Sequence, residues 1–290
     1  MKSALILATA LSLTVTAAIA QTFETVDESP PGDHFDPSAN VDILGLRPGD
    51  TIEDVKAKLK AEFPDQGEPE ERRLKSWAAT PEGARVDIEF VNQVQLGGVS
   101  VYFASEVYDN RALAIERSLR FDQFTTADVF RKQVAEKYGR PSIVDESGNE
   151  PTLYYIYANG RLLSEADAPK PKENCDRIND NCDHVEIQKS PETGMDARVS
   201  QKPCAAFFFA GEWEILGRYK VGQHTPVIDD QCDGIMQVSM GRSTTGGLSS
   251  AGFTFVDVRR AYGHQVALDA AIEAKLMEGV DMDKVAKPKL

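Results

Sequence analysis

Apolar and polar residues alternate with a period of two along parts of this chain. The pattern is clearest in residues 84–90, where Val86, Ile88 and Phe90 alternate with charged residues. A strand with one apolar and one polar face is typical of an antiparallel sheet that is half exposed to water. The alternation, or a strand-prone composition, predicts further strands at residues 99–103, 114–121, 154–157, 205–210, 213–221, 235–240 and 252–258.

A helix is predicted over residues 51–63, where apolar residues recur at helical spacing. Thr51 is a good N-cap residue, and Asp54 stands at the position that completes a capping box. Asp50 is the competing N-cap. Pro64 and the acidic residues after it predict the end of the helix.

Two more helices are predicted, over residues 126–138 and 259–278. Either Thr125 or Thr126 caps the first of them. A shift of 75 residues places this helix on the segment 51–63. The match suggests two tandem helix-strand units, and the alternative is that any two capped amphipathic helices align this well.

Together these patterns predict an α+β fold: an antiparallel sheet with helices packed on one face, stapled by disulfides. We place a first α+β unit at residues 41–123 and a second at 124–290. Residues 164–203 interrupt the second unit and are rich in Pro, Lys, Asp, Glu and Asn. The stretch is too long for a routine connection, so we expect an inserted, disulfide-closed surface loop.

The N-terminus has the three parts of a secretory signal peptide. Lys2 supplies a basic region, residues 4–19 are apolar or small, and a cleavage site ends at Ala20. The apolar run is shorter than the roughly 20 residues that a membrane-spanning helix needs. We therefore expect residues 1–20 to be removed and the protein to be periplasmic or secreted. Residues 21–40 are predicted to form a flexible leader, with a docked edge strand as the alternative.

An exported chain meets an oxidising environment, so its four cysteines are expected to form disulfides. We favour Cys175–Cys182 and Cys204–Cys232 because these pairs close short loops, worth roughly 2.5 and 3.6 kcal/mol. The other pairings stay open. A strand between Cys204 and Cys232 would separate their Cα atoms beyond the limit of about 7 Å. Zinc is disfavoured because no two cysteines have the short spacing of zinc ligands.

Charge and motifs exclude several function classes. With 32 basic and 46 acidic residues the net charge is −14, which disfavours nucleic acid. We find no nucleophile elbow, phosphate-binding loop or dinucleotide fingerprint. Residues 174–183 are rich in acidic and amide groups but lack the spacing of a calcium loop. We therefore predict no catalytic residue, no metal and no cofactor. The histidines are scattered, at His34, His184, His224 and His264.

Two aromatic runs are the remaining feature. Tyr155 and Tyr157 lie in the first run and Phe208 in the second. These three residues are our candidates for a binding face on the sheet. The alternative is that the aromatic rings fill the core beneath the helices.

Residues 44–55 read Leu-Gly-Leu-Arg-Pro-Gly-Asp-Thr-Ile-Glu-Asp-Val. Over residues 44–63 the chain resembles the signature of SmpA/OmlA (BamE-like) and beta-lactamase-inhibitor-protein-like modules. The resemblance implies a helix that packs on an antiparallel sheet, in an envelope scaffold or protein-binding module, with no catalytic residues. Asp50 stands where the usual residue is Met, and the cysteine of the lipoprotein branch is missing, so we expect no lipid anchor. The matching positions are Gly49, Thr51, Asp54 and Val55.

These observations predict a non-enzymatic, exported envelope protein that binds another envelope protein or acts as a scaffold, with no membrane span. A small-ligand carrier with a closed apolar pocket is one alternative. A hydrolase whose catalytic residues form no recognisable motif is another.

Overall fold

The computed structural model describes most of the chain after residue 40. For residues 185–189, 196–200 and 227–228 it describes the backbone only. The described ranges are 41–79, 84–146, 151–169, 185–189, 196–200, 202–204, 227–228, 232–244 and 246–278. The predicted signal peptide and leader lie outside these ranges.

Three α-helices lie in the described ranges, together with a short 3₁₀ turn at Glu106–Tyr108. No helix in this part of the chain has both the length and the apolar character needed to cross a membrane. The helices are α1 (Ile52–Glu62), α2 (Ala127–Tyr138) and α3 (Val258–Met277).

Twelve strands are described, and nine of them form one sheet. The strands of this sheet are β1 (Glu70–Ala79), β2 (Arg85–Leu96), β3 (Val99–Phe103), β4 (Ala112–Arg120), β5 (Ile143–Asp145), β6 (Thr152–Ala158), β7 (Arg161–Leu162), β11 (Cys232–Arg242) and β12 (Leu248–Asp257). The second sheet contains β8 (Val185–Lys189), β9 (Asp196–Ser200) and β10 (Val227–Ile228).

The large sheet is antiparallel throughout, which confirms the predicted fold class. Its order is β1-β2-β3-β4-β12-β11-β6-β5, and β7 also pairs with β6. The β11–β12 hairpin therefore lies between β4 and β6. Strands from both predicted units, residues 41–123 and 124–290, form one continuous sheet.

The helices are divided between the two faces of the sheet, whereas the sequence analysis placed them all on one face. Val55 of α1 and Phe130 of α2 belong to one buried cluster, and Leu268 of α3 belongs to another. In β11, Ile235 joins the α3 cluster and the next residue, Met236, joins the α1–α2 cluster. Successive side chains of a strand point to opposite faces, so the two clusters lie on opposite sides of the sheet. Several strands are buried on both sides, and period-two alternation cannot reveal that arrangement.

A β-bulge changes which side of β2 is apolar. The pairing with β1 moves from Arg72↔Gln93 to Arg73↔Val91, which leaves Asn92 as an extra residue. An extra residue reverses the alternation of side chains along a strand. Phe90 accordingly packs in the α3 cluster, whereas residues beyond the bulge pack beside α1.

The predicted disulfide between Cys204 and Cys232 is present, with the two Cα atoms 4.8 Å apart. This distance is within the limit of about 7 Å, so no intervening strand separates the two cysteines. Both cysteines are buried. Cys175 and Cys182 lie outside the described residues.

The stretch 164–203, predicted as an inserted loop, contains two strands. β8 and β9 pair antiparallel from Val185↔Ser200 to Lys189↔Asp196. Each strand has β-branched residues within a polar sequence, which is a weak strand signal. The polar composition of the whole stretch concealed this signal.

Candidate functional site

The tyrosines proposed as a binding face lie inside the molecule. Tyr155 is 0% exposed and Tyr157 is 5% exposed. Tyr155 lies beside the ring of Tyr138 from α2, and Tyr157 lies beside Phe255 of β12. This burial favours the core-packing alternative for both rings. Phe208, the third candidate, lies outside the described residues.

Burial also changes the acidity of these phenols. It raises the pKa of Tyr155 to about 12, and it raises the pKa of Tyr157 further above the usual range. The Tyr155 hydroxyl is buried and has no hydrogen-bond partner among the described residues. Both phenols are therefore neutral at physiological pH.

One serine and one histidine form a buried pair beneath α3. The backbone N–H of Ser105 donates to Nε2 of His264 at 2.9 Å, and the Ser105 hydroxyl lies 2.9 Å from the same nitrogen. A backbone N–H can only donate, so Nε2 is unprotonated and the neutral ring carries its proton on Nδ1. The rings of Phe90 and Tyr108 meet the imidazole edge to face.

Burial lowers the pKa of His264 to about 3. The ring stays neutral at physiological pH, and the side chains of both Ser105 and His264 are shielded from solvent. A serine nucleophile needs access to substrate. In this structure the pair instead links α3 to the connection between β3 and β4.

A second polar cluster links α2 to the start of the described chain. Lys137 donates to Oδ1 of Asp42 at 3.0 Å, and the Tyr138 hydroxyl donates to the Asp42 carbonyl at 2.8 Å. Burial raises the pKa of Asp42, but hydrogen bonds from the Gly45 N–H and from Lys137 outweigh it and leave that pKa below its ordinary value. Each polar group in this cluster faces a protein partner, which is the arrangement of a structural contact.

The described side chains contain no group of three or more His, Cys, Asp and Glu residues placed to hold a metal ion. The acidic stretch 174–183 lies outside this part of the chain.

Among the described strands, β1 forms one edge of the large sheet. It is ten residues long and pairs with β2 along one side. Within the described ranges, no strand pairs with its other side. An edge strand presents unpaired backbone N–H and C=O groups, which can pair with a strand of another chain.

The two faces of β1 differ. Leu74 and Ala78 pack against the α3 cluster, whereas Arg73, Lys75 and Trp77 are exposed on the opposite face. Near the start of that opposite face, Lys56 of α1 forms an ion pair with Glu71. The rest of the strand extends past this contact.

Trp77 is an unusual residue for an exposed strand face. It is 59% exposed, and the guanidinium carbon of Arg85 lies 5.2 Å from its ring centroid. Arg85 also forms an ion pair with Asp87 at 2.7 Å. Tryptophan and arginine are enriched in the residues that dominate protein–protein binding energies.

Two other cations on β1, Arg73 and Lys75, share one carboxylate. Glu89 on β2 accepts from Arg73 at 2.9 Å and lies 3.3 Å from the Lys75 ammonium. Hydrogen bonds from Lys75 and Arg73 lower the pKa of Glu89. We call the exposed side chains of Arg73, Lys75 and Trp77 the β1 face.

The sequence analysis did not predict β1. Residues 70–79 begin with four consecutive charged residues, and these residues follow the acidic end of a helix. Residues 74–79 show no period-two alternation in the sequence, because Ser76 on one side is polar and Trp77 on the other is apolar.

No family model, no curated protein and no solved structure matches this chain.

Proposed function

We propose that this protein is a non-enzymatic, exported envelope protein that binds another protein through the open edge of β1. The observation that carries the proposal is the combination of a ten-residue edge strand with an exposed tryptophan, Trp77. The unpaired backbone groups supply hydrogen bonds to an added strand, and the β1 face supplies side-chain contacts.

The composition of β1 supports a controlled interaction rather than indiscriminate aggregation. Charged residues on an edge strand protect it from pairing with other sheets. Trp77 has the opposite effect, because an exposed aromatic ring favours association. A strand that carries both features is suited to a specific partner.

The local structure of residues 44–63 supports the resemblance to SmpA/OmlA-like and beta-lactamase-inhibitor-protein-like modules, which we keep as part of the proposal. Gly49 has a positive φ of 86°, Thr51 and Asp54 form a capping box, and Val55 is 0% exposed. The helix that follows packs on the antiparallel sheet, as the resemblance implies. Small-ligand carriage and hydrolysis stay as alternatives, and the buried Ser105–His264 pair gives hydrolysis no support.

Photo-crosslinking in the native envelope tests this proposal. A photoreactive phenylalanine analogue replaces Trp77 in one variant and Val144 in a control. Val144 is a suitable control because it is 50% exposed on β5, at the opposite end of the sheet. We expect one dominant protein adduct from position 77 and none of the same mass from position 144. Absence of an adduct at position 77, or the same adduct from both positions, would overturn the proposal.

A further inference from the structure

We propose that the segment bound by β1 is an extended, acidic stretch of a partner protein, with carboxylates at alternate positions facing Arg73 and Lys75. This inference rests on the proposed function, because it names the chemistry of the partner at the same edge.

The charge of β1 differs from that of the whole chain. Residues 72–77 carry three cations, Arg72, Arg73 and Lys75, and no carboxylate. Arg72 forms an ion pair with Glu70 of the same strand at 3.6 Å, so Arg73 and Lys75 are the two cations relevant to a partner. The whole chain has a net charge of −14. The middle of β1 is therefore a local cationic strip on an acidic protein, and such strips attract segments of opposite charge.

One carboxylate lies beside two of these cations, so it cannot neutralise the charge of both. Glu89 is the shared ion-pair partner of Arg73 and Lys75. Lys75 nevertheless keeps 72% of its side chain exposed, and Arg73 keeps 48%. Both cations can reach a carboxylate from a strand added at the open edge.

Strand geometry then sets the pattern of the partner. Residues two apart on a strand lie roughly 7 Å apart on the same face, and paired strands have matching spacing. Arg73, Lys75 and Trp77 occupy three successive positions of this kind. A complementary segment carries carboxylates at two successive positions on one face, followed by an apolar residue opposite Trp77.

Two other occupants fit these observations less well. Two copies of the chain that paired antiparallel about Leu74 would bring Arg73 of each copy directly opposite Lys75 of the other. A nucleic acid would meet three cations on a chain with a strongly negative net charge. An acidic segment avoids both conflicts.

Peptide binding to the full mature chain tests the inference. One labelled ten-residue peptide carries Glu at two successive alternate positions, Val at the next alternate position on either side and Thr elsewhere, so that it fits β1 in either direction. Its matched peptide has Gln in place of each Glu. We expect the acidic peptide to bind about ten-fold more tightly by fluorescence anisotropy, with an affinity that falls as salt rises. The double variant Arg73→Glu/Lys75→Glu should reduce its affinity by about ten-fold.

A matched control variant separates the effect of the cations on β1 from the effect of the net charge of the protein. The double variant Arg140→Glu/Arg161→Glu changes the net charge by the same amount at two exposed cations outside β1. We expect it to leave the affinity for the acidic peptide within about two-fold of the original.

The possible failures are distinguishable. The charge inference is overturned, and the edge proposal kept, if position 77 crosslinks a partner while the acidic and Gln peptides bind equally. It is also overturned if no peptide binds at about 1 mM, or if the two double variants act alike. Peptide binding that requires deletion of residues 21–40 would assign the edge to the chain's own acidic leader. The edge proposal itself fails when position 77 gives no adduct.

Discussion

Thr51 and Thr126 each satisfy a backbone N–H group that the first turn of a helix leaves unpaired. The Thr51 hydroxyl accepts from the Asp54 N–H at 3.1 Å, and Thr126 accepts from the Val129 N–H at 3.3 Å. The structure thereby decides between the alternative caps that the sequence left open. Side-chain oxygens at this position stabilise helices by about 1 kcal/mol.

The neighbouring threonines of α2 give a matched test. We expect Thr126→Ala to lower the free energy of unfolding by about 1 kcal/mol, because the Val129 N–H loses its acceptor. Thr125→Ala should change it by less than about 0.5 kcal/mol, because Thr126 supplies the cap. Urea unfolding of the two variants measures both values. Equal losses would show that the hydroxyl of Thr126 is not the cap.

His264 makes the stability of the protein depend on pH. Its pKa is about 3 in the folded protein, below its ordinary value near 6.5, so the unfolded chain takes up the proton first as the pH falls. The stabilisation is complete above about pH 6.5 and declines as the pH falls toward 3. One proton corresponds to about 1.4 kcal/mol per pH unit.

We expect the variant His264→Gln to remove this dependence. Glutamine keeps an oxygen acceptor for Ser105 but does not titrate. The variant should be less stable at pH 7, and the stability gap to the original should narrow by about 1 kcal/mol per unit between pH 6 and 4. Urea unfolding at several pH values measures the gap, and the other titrating groups are common to both proteins. Parallel stability curves would contradict the assigned role of His264.

At the scale of elements, the turn of the β2–β3 hairpin packs against the residue that follows α1. Gly97 and Gly98 have positive φ values of 61° and 76°, which suits a two-residue turn between Leu96 and Val99. A Cβ atom at Gly97 would lie 2.6 Å from the ring of Phe63, just after α1. Gly97 is therefore required for its backbone angle and for the space that Phe63 occupies.

A comparison of two glycines separates these requirements. Gly67 has a φ of 84° with nothing within 4 Å of an added Cβ, so Gly67→Ala carries only the backbone strain of about 1 kcal/mol. We expect Gly97→Ala to cost a further 1–3 kcal/mol or so, because Phe63 must move. Thermal or urea unfolding compares the two. Equal costs would mean that the Phe63 ring does not restrict the turn.

Elements with strong local signals could be predicted from the sequence. The capped helix at residues 51–63 and the strand at 99–103 lie where their patterns indicate. The helix predicted from residue 259 begins at Val258, after Asp257 caps it. Local patterns carry no information about strand order. They could not predict that β11 and β12 lie between β4 and β6. β1 was missed because its stability depends on pairing with β2 rather than on its own composition.

The same limit applied to the candidate site. The aromatic residues Tyr155 and Tyr157 were conspicuous in the sequence, but helices on both faces bury the central strands. The sequence pattern did not indicate that Trp77 is exposed, because its exposure depends on the end position of β1 in the sheet. Sequence periodicity identifies apolar residues, and only the tertiary structure shows which of them a neighbouring element covers.

At the scale of the whole molecule, one antiparallel sheet is formed by strands from Glu70 to Asp257. The hairpin β11–β12 pairs with β4 on one side and β6 on the other, and the Cys204–Cys232 disulfide joins residue 204 to the start of β11. Short β5 ends the sheet on one side, with three residues, and the longer β1 ends it on the other. This asymmetry makes β1 the edge best able to accept an additional strand.

Amide hydrogen exchange tests the central claim most directly. It compares the isolated mature protein with its complex with the partner captured at position 77. We expect amides of β1 to exchange faster than those of the central strand β12 in the isolated protein, and to become protected in the complex. Amides of β5 should not change. Unchanged exchange of β1 on binding, or full protection of β1 already in the isolated protein, would contradict the account.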